Sequence, residues 1–343
     1  MKKILTIDGG GIRGVIPAAI LANLEERLRV SSQNRELRLA DCFDLLAGTS
    51  TGGILAILYL SPKRYTGAQI LEFYRELGPK LFHKSFAYKL TSGFGLFSSR
   101  YKEDALYDFA KRILGDATIS EVAKDCLITS YEMTSRKALL FTKSDTGKYG
   151  SMADYKLCDI VRATSAAPTY FKPAKVYPKS SENLKAEGVS ADNIPFRNLV
   201  DGGIYANNPS MCALVEAIKL WPDESMKNFM MVSAGTGKAD RSYPYERVRR
   251  FGYIGWLSPI LDIMLSSVAE TVDYQVRQMC KTVGCPENYY RIEPLLMNAD
   301  VDMDKATEKN IQELVNAAQH YIDHNGDLLD TLVDNLLHKQ IIF

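Results

Sequence analysis

The stretch FDLLAGTSTGGILAILYL, residues 43–60, combines a short apolar run, a glycine-rich turn and a second apolar run in direct succession. The first run is typical of a buried strand and the second of a helix. The turn between them is a G-x-S-x-G motif, residues 48–52, in which Gly48 and Gly52 flank Ser50. In this context the motif lifts a serine hydroxyl clear of the sheet, so Ser50 is a candidate nucleophile. Serine is also an ordinary helix N-cap, so the motif needs support from elsewhere.

The same order of strand, turn and helix occurs at the start of the chain. Residues 4–7 are apolar, Asp8 ends the run, and apolar residues then recur every four positions over residues 16–28 beside charged ones. Two such units in succession predict an α/β protein with parallel strands. Functional groups are expected at the carboxyl ends of the strands. Further short β-type runs lie at 126–130, 138–141, 198–200 and 229–233.

The first turn reads DGGGIRG, residues 8–14. Consecutive glycines at a strand end can direct several backbone N–H groups toward one point, an arrangement that suits an oxyanion. Gly9, Gly10 and Gly11 are therefore candidates for an oxyanion hole. Arg13 adds a positive charge that suits a phosphate or a carboxylate.

A dinucleotide-binding loop is the alternative interpretation of this turn, because Gly9, Gly11 and Gly14 also match G-x-G-x-x-G. That fold requires an acidic residue at the end of the second strand, about 20 residues further on. Here the second strand runs directly into the serine turn. The pattern therefore favours an oxyanion loop.

A third motif is NLVDGG, residues 198–203, in which Asp201 ends a short apolar run. Asp-Gly is usually only a turn. Beside a serine motif, however, Asp201 is a candidate base. A solvated aspartate with a pKa of ~3.9 accepts a serine proton poorly, so Asp201 must be desolvated and within hydrogen-bond reach of Ser50.

Histidine is the usual base, and the order Ser50, Asp201, His320 imitates the chain order of an α/β-hydrolase triad. His320 and His324 lie four residues apart in a polar helical pattern, which is typical of a solvated surface. No glutamate lies between them as in the H-E-x-x-H motif of a zinc helix, and no third ligand is evident nearby, so no metal site is predicted. The other histidines lie in no motif: His83 and His338.

The chain has 343 residues and is 46% hydrophobic, so it can bury a large core. Its 42 basic and 41 acidic residues are interspersed, which provides no overall field for a polyanion, and we expect no nucleic-acid partner. Six cysteines without metal-type spacing are typical of reduced thiols in a cytoplasmic protein. No apolar run approaches the ~18 residues of a membrane span, so any membrane contact is expected to be peripheral.

Residues 61–103 mix aromatic side chains with serine and glycine, which is more typical of a lid or an insertion than of a regular core element. Residues 301–343 are expected to form C-terminal helices packed on a domain of residues 1–300. Residues 94–97 and 247–256 combine aromatic and, in the second case, basic side chains and are candidates for lipid contact. The alternative is core aromatics beside a solvated basic face.

Taken together, the three motifs resemble the patatin-like phospholipase family. Segments 38–44, 141–144 and 166–171 are similar to plant patatins, and the resemblance covers residues 1 to about 300. It implies a three-layer α/β/α fold with a mostly parallel central sheet. It also implies hydrolysis of fatty acyl esters of phospholipids or other glycerolipids by a Ser-Asp dyad, without a catalytic histidine or a cofactor.

Carried over to this sequence, the resemblance implies that Ser50 is the nucleophile and Asp201 the base. The backbone of residues 9–11 becomes the oxyanion hole, supported by Arg13. Asp-Gly-Gly replaces the Asp-Gly-Ala of many plant members, which keeps the aspartate. The motif glycines are Gly14, Gly48, Gly52, Gly202 and Gly203.

The resemblance also bears on location and regulation. The sequence shows no secretory leader before Asp8, so we expect a cytoplasmic, bacterial member with peripheral membrane association. Related bacterial proteins include members switched on by cyclic dinucleotides, and the cluster Arg247–Arg250 is a candidate for such a ligand. A ligand-activated member and a Ser-His-Asp esterase therefore stay open as alternatives, as does the oligomeric state.

Overall fold

The fold contains an eight-stranded sheet at its centre. The computed structural model describes residues 1–82, 101, 104–190, 193–238 and 242–337. The strand order is β5-β6-β3-β2-β1-β7-β8, and β4 pairs with β3. Strands β3, β2, β1, β7 and β8 are parallel, whereas β4, β5 and β6 join antiparallel. The prediction of a mostly parallel sheet is confirmed. The strands are β1 (Lys2–Ile7), β2 (Leu45–Gly48), β3 (Asp125–Glu132), β4 (Lys137–Thr142), β5 (Ala174–Val176), β6 (Arg197–Asp201), β7 (Phe229–Ala234) and β8 (Tyr289–Ile292).

Helices cover both faces of this sheet, as the alternation of side chains along β1 and β2 shows. Leu5 and Leu46 belong to one buried cluster, and Ile4 and Leu45 to a second one on the opposite face. The larger cluster includes residues of α1–α4, α6, α12 and α13; the smaller includes residues of α9 and α11. The three-layer α/β/α prediction is thus confirmed. The helices are α1 (Val15–Ser32), α2 (Thr51–Leu60), α3 (Gly67–Leu81), α4 (Asp104–Leu114), α5 (Lys143–Tyr149), α6 (Leu157–Thr164), α7 (Ser180–Ala186), α8 (Gly203–Ala206), α9 (Ser210–Leu220), α10 (Tyr245–Val248), α11 (Tyr253–Val283), α12 (Glu308–His324) and α13 (Gly326–Leu337).

Strand β3 aligns the ends of β2 and β6. Gly48, the last residue of β2, pairs with Ile128, and Asp201, the last residue of β6, pairs with Ser130. Strand β4 pairs with this same stretch of β3, so β2 and β6 share the opposite edge. Because β2 is parallel and β6 antiparallel to β3, their carboxyl ends point toward each other across Thr129. The register therefore brings the serine motif and the aspartate motif together.

Part of the segment 61–103 is a regular core helix, which corrects the expectation for residues 67–81. Helix α3 begins with a capping box in which Thr66 and Gln69 exchange hydrogen bonds. Its buried residues Ile70, Tyr74 and Leu77 follow helical spacing, and the chain's mixed composition hid that pattern. The remainder of the predicted lid, residues 83–100 and 102–103, lies outside the described residues.

The C-terminal helices α12 and α13 both pack against α1. Their apolar residues, including Leu314 and Leu332, join the larger buried cluster. Across the described part of the chain, no helix is both long and apolar enough to cross a membrane.

Candidate active site

Ser50 occupies a sharp turn between β2 and α2. Its φ of 54° and ψ of −122° lie in a region that non-glycine residues rarely adopt. A Cβ at Gly48 would lie 2.2 Å from the carbonyl oxygen of Gly52, and a Cβ at Gly52 would lie 2.1 Å from that of Ile7. The motif glycines are therefore required by the tightness of the turn against β1. The Ser50 N–H donates to Oγ1 of Thr164 at 2.9 Å, which helps to hold the strained backbone.

Asp201 is buried at the end of β6, beside Ser50. Burial raises the pKa of Asp201 to about 7, and the Ser50 hydroxyl and the Gly203 N–H, which donate toward it, oppose the shift. The Gly203 N–H donates to Oδ1 at 2.7 Å and orients the carboxylate. This is the desolvated environment that a carboxylate base requires.

Two successive hydrogen bonds from threonine hydroxyl groups connect the serine motif with the aspartate motif. Thr129 donates to the hydroxyl of Thr49 at 2.8 Å, and Thr49 donates to the carbonyl of Ala206 at 2.6 Å. A Cβ at Gly202 would lie 2.3 Å from Oγ1 of Thr129. The glycine thus lets the aspartate turn approach β3 at the point where the strand ends meet.

The glycine loop offers two free donors rather than three. The Gly9 N–H donates to the carbonyl of Asn207 at 2.9 Å, so it is unavailable to a ligand. Within the described residues, the N–H groups of Gly10 and Gly11 have no hydrogen-bond acceptor, and both glycines line a cavity with Ser50. Of the three candidate glycines, Gly10 and Gly11 therefore have N–H groups that are available to an oxyanion.

Two residues without a motif hold this loop in place. Thr236 donates to the carbonyl of Gly9 at 2.9 Å, and a Cβ at Gly10 would lie 2.3 Å from its Oγ1. Oδ1 of Asn207 would lie 2.4 Å from a Cβ at Gly9. Thr236 follows β7, so the expectation that functional groups lie at the carboxyl ends of strands predicts a residue at this position. Asn207 has no comparable signal in the sequence.

Arg13, which the resemblance assigns to the support of the oxyanion hole, is not among the residues that line the cavity. Its Nε is buried without a hydrogen-bond partner within the described residues. Desolvation lowers the pKa of Arg13, and the carboxylates of Asp262 and Glu293 oppose that shift. Gly14 has a packing role, since a Cβ there would lie 2.1 Å from Oγ1 of Thr51.

The two described histidines lie away from Ser50. His320 and His324 are exposed on α12, with Nδ1 of His324 2.8 Å from the carbonyl oxygen of His320. Neither lines the cavity that contains Ser50. His83 and His338 lie outside the described residues. Among the residues described, no group of three or more metal-type ligands occurs.

A largely apolar cavity opens beside Ser50 and Asp201. It encloses about 1140 Å³ including its open mouth. Its polar end contains the serine, the aspartate and the two free N–H groups. Helices α2, α3 and α4 supply apolar walls from Ile54, Leu58, Phe73, Leu77, Leu106 and Phe109. This shape and lining suit a hydrocarbon chain with a reactive polar head.

Comparisons with known proteins agree with the motif pattern. Residues 5–214 match the family described as patatin-like phospholipase. Patatin-like protein 4 of Arabidopsis thaliana is 30% identical over 350 residues, covering 95% of this chain and 84% of that protein. Patatin-like protein 2 of Oryza sativa subsp. japonica is 31% identical, covering 96% and 86%. A potato (Solanum tuberosum) relative, "Probable inactive patatin-3-Kuras 1", is 30% identical, covering 94% and 86%.

Solved structures similar to this chain include human GIVD cytosolic phospholipase A2, with a TM-score of 0.46 and 11% identity. The match covers 98% of this chain and 60% of that one. VipD from Legionella pneumophila matches with a TM-score of 0.36 and 11% identity, covering 94% and 67%.

Proposed function

The chain belongs to the patatin-like phospholipase family, and from this premise we propose that it is a serine lipid acyl hydrolase acting through a Ser50-Asp201 dyad. The proposed substrates are fatty acyl esters of phospholipids or other glycerolipids. Family membership alone does not establish turnover, since one relative carries the name "Probable inactive". The proposal therefore rests on the chemistry of the site.

One observation carries it: a strained serine and a buried carboxylate with a pKa near 7 share the polar end of an apolar cavity. At neutral pH a substantial fraction of Asp201 is ionised, yet its proton affinity far exceeds that of a solvated aspartate. The dyad therefore needs no histidine. The apolar walls provide the affinity for an acyl chain.

In the proposed cycle, Asp201 accepts the hydroxyl proton as Oγ of Ser50 forms a bond to the acyl carbonyl carbon. The N–H groups of Gly10 and Gly11 stabilise the negative charge on the carbonyl oxygen. The carbon–oxygen bond to the alcohol then breaks, and Asp201 returns the proton to the leaving alcohol. Water activated by the same carboxylate hydrolyses the acyl-serine, which releases the fatty acid and restores the hydroxyl.

The proposed substrates reside in membranes, so the proposal includes peripheral contact with a lipid surface. Residues 94–97, one candidate for that contact, lie outside the described residues. The other candidate, residues 247–256, includes exposed Arg247, Arg249 and Trp256. The alternative proposal is a member that a cyclic dinucleotide activates at the arginine cluster, residues 247–250.

The test is labelling with a fluorophosphonate probe together with fatty-acid release from phospholipid vesicles. We expect Ser50→Ala to abolish both, and Asp201→Asn to reduce both by at least about 10³-fold. His320→Ala is the matched control and should retain wild-type rates. Loss of turnover in folded His320→Ala would contradict the dyad and favour a Ser-His-Asp esterase. Labelling of Ser50→Ala at the wild-type rate would contradict the proposal that Ser50 is the nucleophile.

A further inference from the structure

Helix α11 presents a row of apolar side chains to solvent. Trp256, Ile260, Ile263 and Met264 are 38%, 46%, 39% and 39% exposed. Their spacing of four, three and one residues places them on one face of the helix. Exposed apolar residues scattered singly need no explanation, whereas a continuous stripe of large ones indicates an interaction surface. We refer to these four residues as the α11 stripe.

The α11 stripe borders the entrance to the cavity. Met264 is exposed and also lines the cavity, and its neighbour Leu265 lines the cavity too. Cδ2 of Leu265 would lie 3.0 Å from a Cβ at Gly203, two residues beyond Asp201. A surface that contacts the stripe therefore lies at the mouth of the site, where a substrate must enter.

Positive charge lies directly before the stripe in the chain. Arg247, Arg249 and Arg250 are exposed, and Arg249 forms a surface ion pair with Glu246 at 2.9 Å. Among the residues described, no acidic side chain pairs with Arg247 or Arg250. Two cations are thus available to an anionic partner.

The acidic residues on the same stretch of α11 are engaged elsewhere. The carboxylate of Asp262 accepts a hydrogen bond from the Tyr243 hydroxyl at 2.8 Å. Glu270 forms an ion pair with Lys238 at 3.1 Å. The Tyr243 hydroxyl carries no charge to compensate Asp262, whereas Lys238 compensates Glu270; the positive charge of this surface comes from Arg247 and Arg250, which precede the stripe.

We propose that the α11 stripe, with Arg247 and Arg250, docks on an anionic lipid bilayer and holds the cavity mouth against it. The inference rests on the proposed lipid hydrolase function and names the surface that delivers the substrate. Tryptophan prefers the membrane interface, aliphatic side chains enter the acyl boundary, and arginines attract anionic headgroups. An acyl chain then passes from the bilayer to Ser50 without crossing water.

The test is flotation of Ser50→Ala protein with vesicles of phosphatidylcholine containing phosphatidylglycerol, so that no lipid is consumed. We expect Ile260→Ser/Ile263→Ser to lower partition by about tenfold, because both side chains lose apolar area that the bilayer buries. The matched control is Val215→Ser/Ile218→Ser, a pair with the same spacing on α9 that is 60% and 47% exposed and does not line the cavity. Arg247→Gln/Arg250→Gln should lower partition on anionic vesicles and weaken its dependence on salt.

Hydrolysis of a short soluble ester by the Ser50-containing protein separates this inference from the function it rests on. Wild-type ester hydrolysis in Ile260→Ser/Ile263→Ser, with reduced release from vesicles, supports docking. Equal partition of the stripe and control variants overturns the docking inference and leaves the hydrolase intact. A dimer that the stripe substitution dissociates also overturns it, since a second copy would then be the partner. Absence of ester hydrolysis in the wild type contradicts the proposed hydrolase function. Flotation still measures whether the α11 stripe binds the vesicles.

Discussion

Arg291 donates from both terminal nitrogens to the two carboxylate oxygens of Asp8, at 3.0 and 2.6 Å, and both side chains are buried. Asp8 directly precedes the glycine loop, and Arg291 lies on β8, with β7 between β8 and β1. Burial raises the pKa of Asp8, while the attraction of Arg291 opposes that shift. The pair therefore anchors the loop that presents Gly10 and Gly11 to the cavity.

Replacing Arg291 with Met should leave Asp8 buried without its cation. We expect the free energy of unfolding at neutral pH to fall by roughly 3–5 kcal/mol, as for other broken buried pairs. Urea denaturation followed by circular dichroism measures this. Arg64→Met is the control, because its ion pair with Asp41 lies at the surface, where the Arg64 side chain is 50% exposed. A loss of less than about 1 kcal/mol is expected there, and equal losses in both variants would contradict the anchoring role.

The pKa of Asp201 predicts the pH dependence of turnover. Since the ionised carboxylate is the proposed base, kcat/KM for a soluble ester should fall about tenfold per pH unit below pH ~7 and level off above it. Burial also raises the pKa of Asp8, and Asp8→Asn removes that titration, although it also removes the anchor of the glycine loop and so lowers the rate. The fall of kcat/KM below pH ~7 should persist in the Asp8→Asn variant. A profile that stays flat to about pH 5 in the wild type would show that Asp201 is not the titrating base.

Gly11→Ala tests the oxyanion hole. Gly11 has a φ of +58°, and an added Cβ would lie 2.4 Å from the carbonyl oxygen of Met303, so the loop must shift. Misplacing one donor should lower kcat by about 10²–10³-fold. Gly115→Ala is a matched control, since its φ is +64° with open space around it. Similar losses of kcat in both variants would indicate a general effect of backbone strain.

Leu106→Phe tests the acyl cavity. The larger ring should narrow the cavity, so kcat/KM for long-chain esters should fall at least about tenfold while that for butyrate esters changes little. Leu114→Phe is the control, because Leu114 is buried on the same helix but does not line the cavity. A uniform loss across chain lengths in Leu106→Phe alone would place the acyl chain elsewhere.

The sequence predicts the fold class, and it identifies Ser50 and Asp201 as candidate reactive residues, because these signals are local. Ser50 lies in a turn motif, and Asp201 ends an apolar run with glycines behind it. The local sequence does not predict that the Gly9 N–H is already hydrogen-bonded, since its acceptor is the carbonyl of Asn207, far along the chain. The composition of residues 61–103 does not predict helix α3, because the apolar spacing of this helix lies within a segment whose overall composition is irregular.

Strands β2 and β6 both end along one edge of β3. The spacing of Ser50 and Asp201 is determined by a single backbone stretch, Ile128–Ser130, to which both strand ends are hydrogen-bonded. Loops elsewhere between the two motifs can lengthen or shorten without altering that spacing. A deletion of one residue within this stretch would instead shift the proposed nucleophile and the proposed base relative to each other. The connecting segments, and with them the substrate preference, can therefore vary while the relative position of Ser50 and Asp201 stays the same.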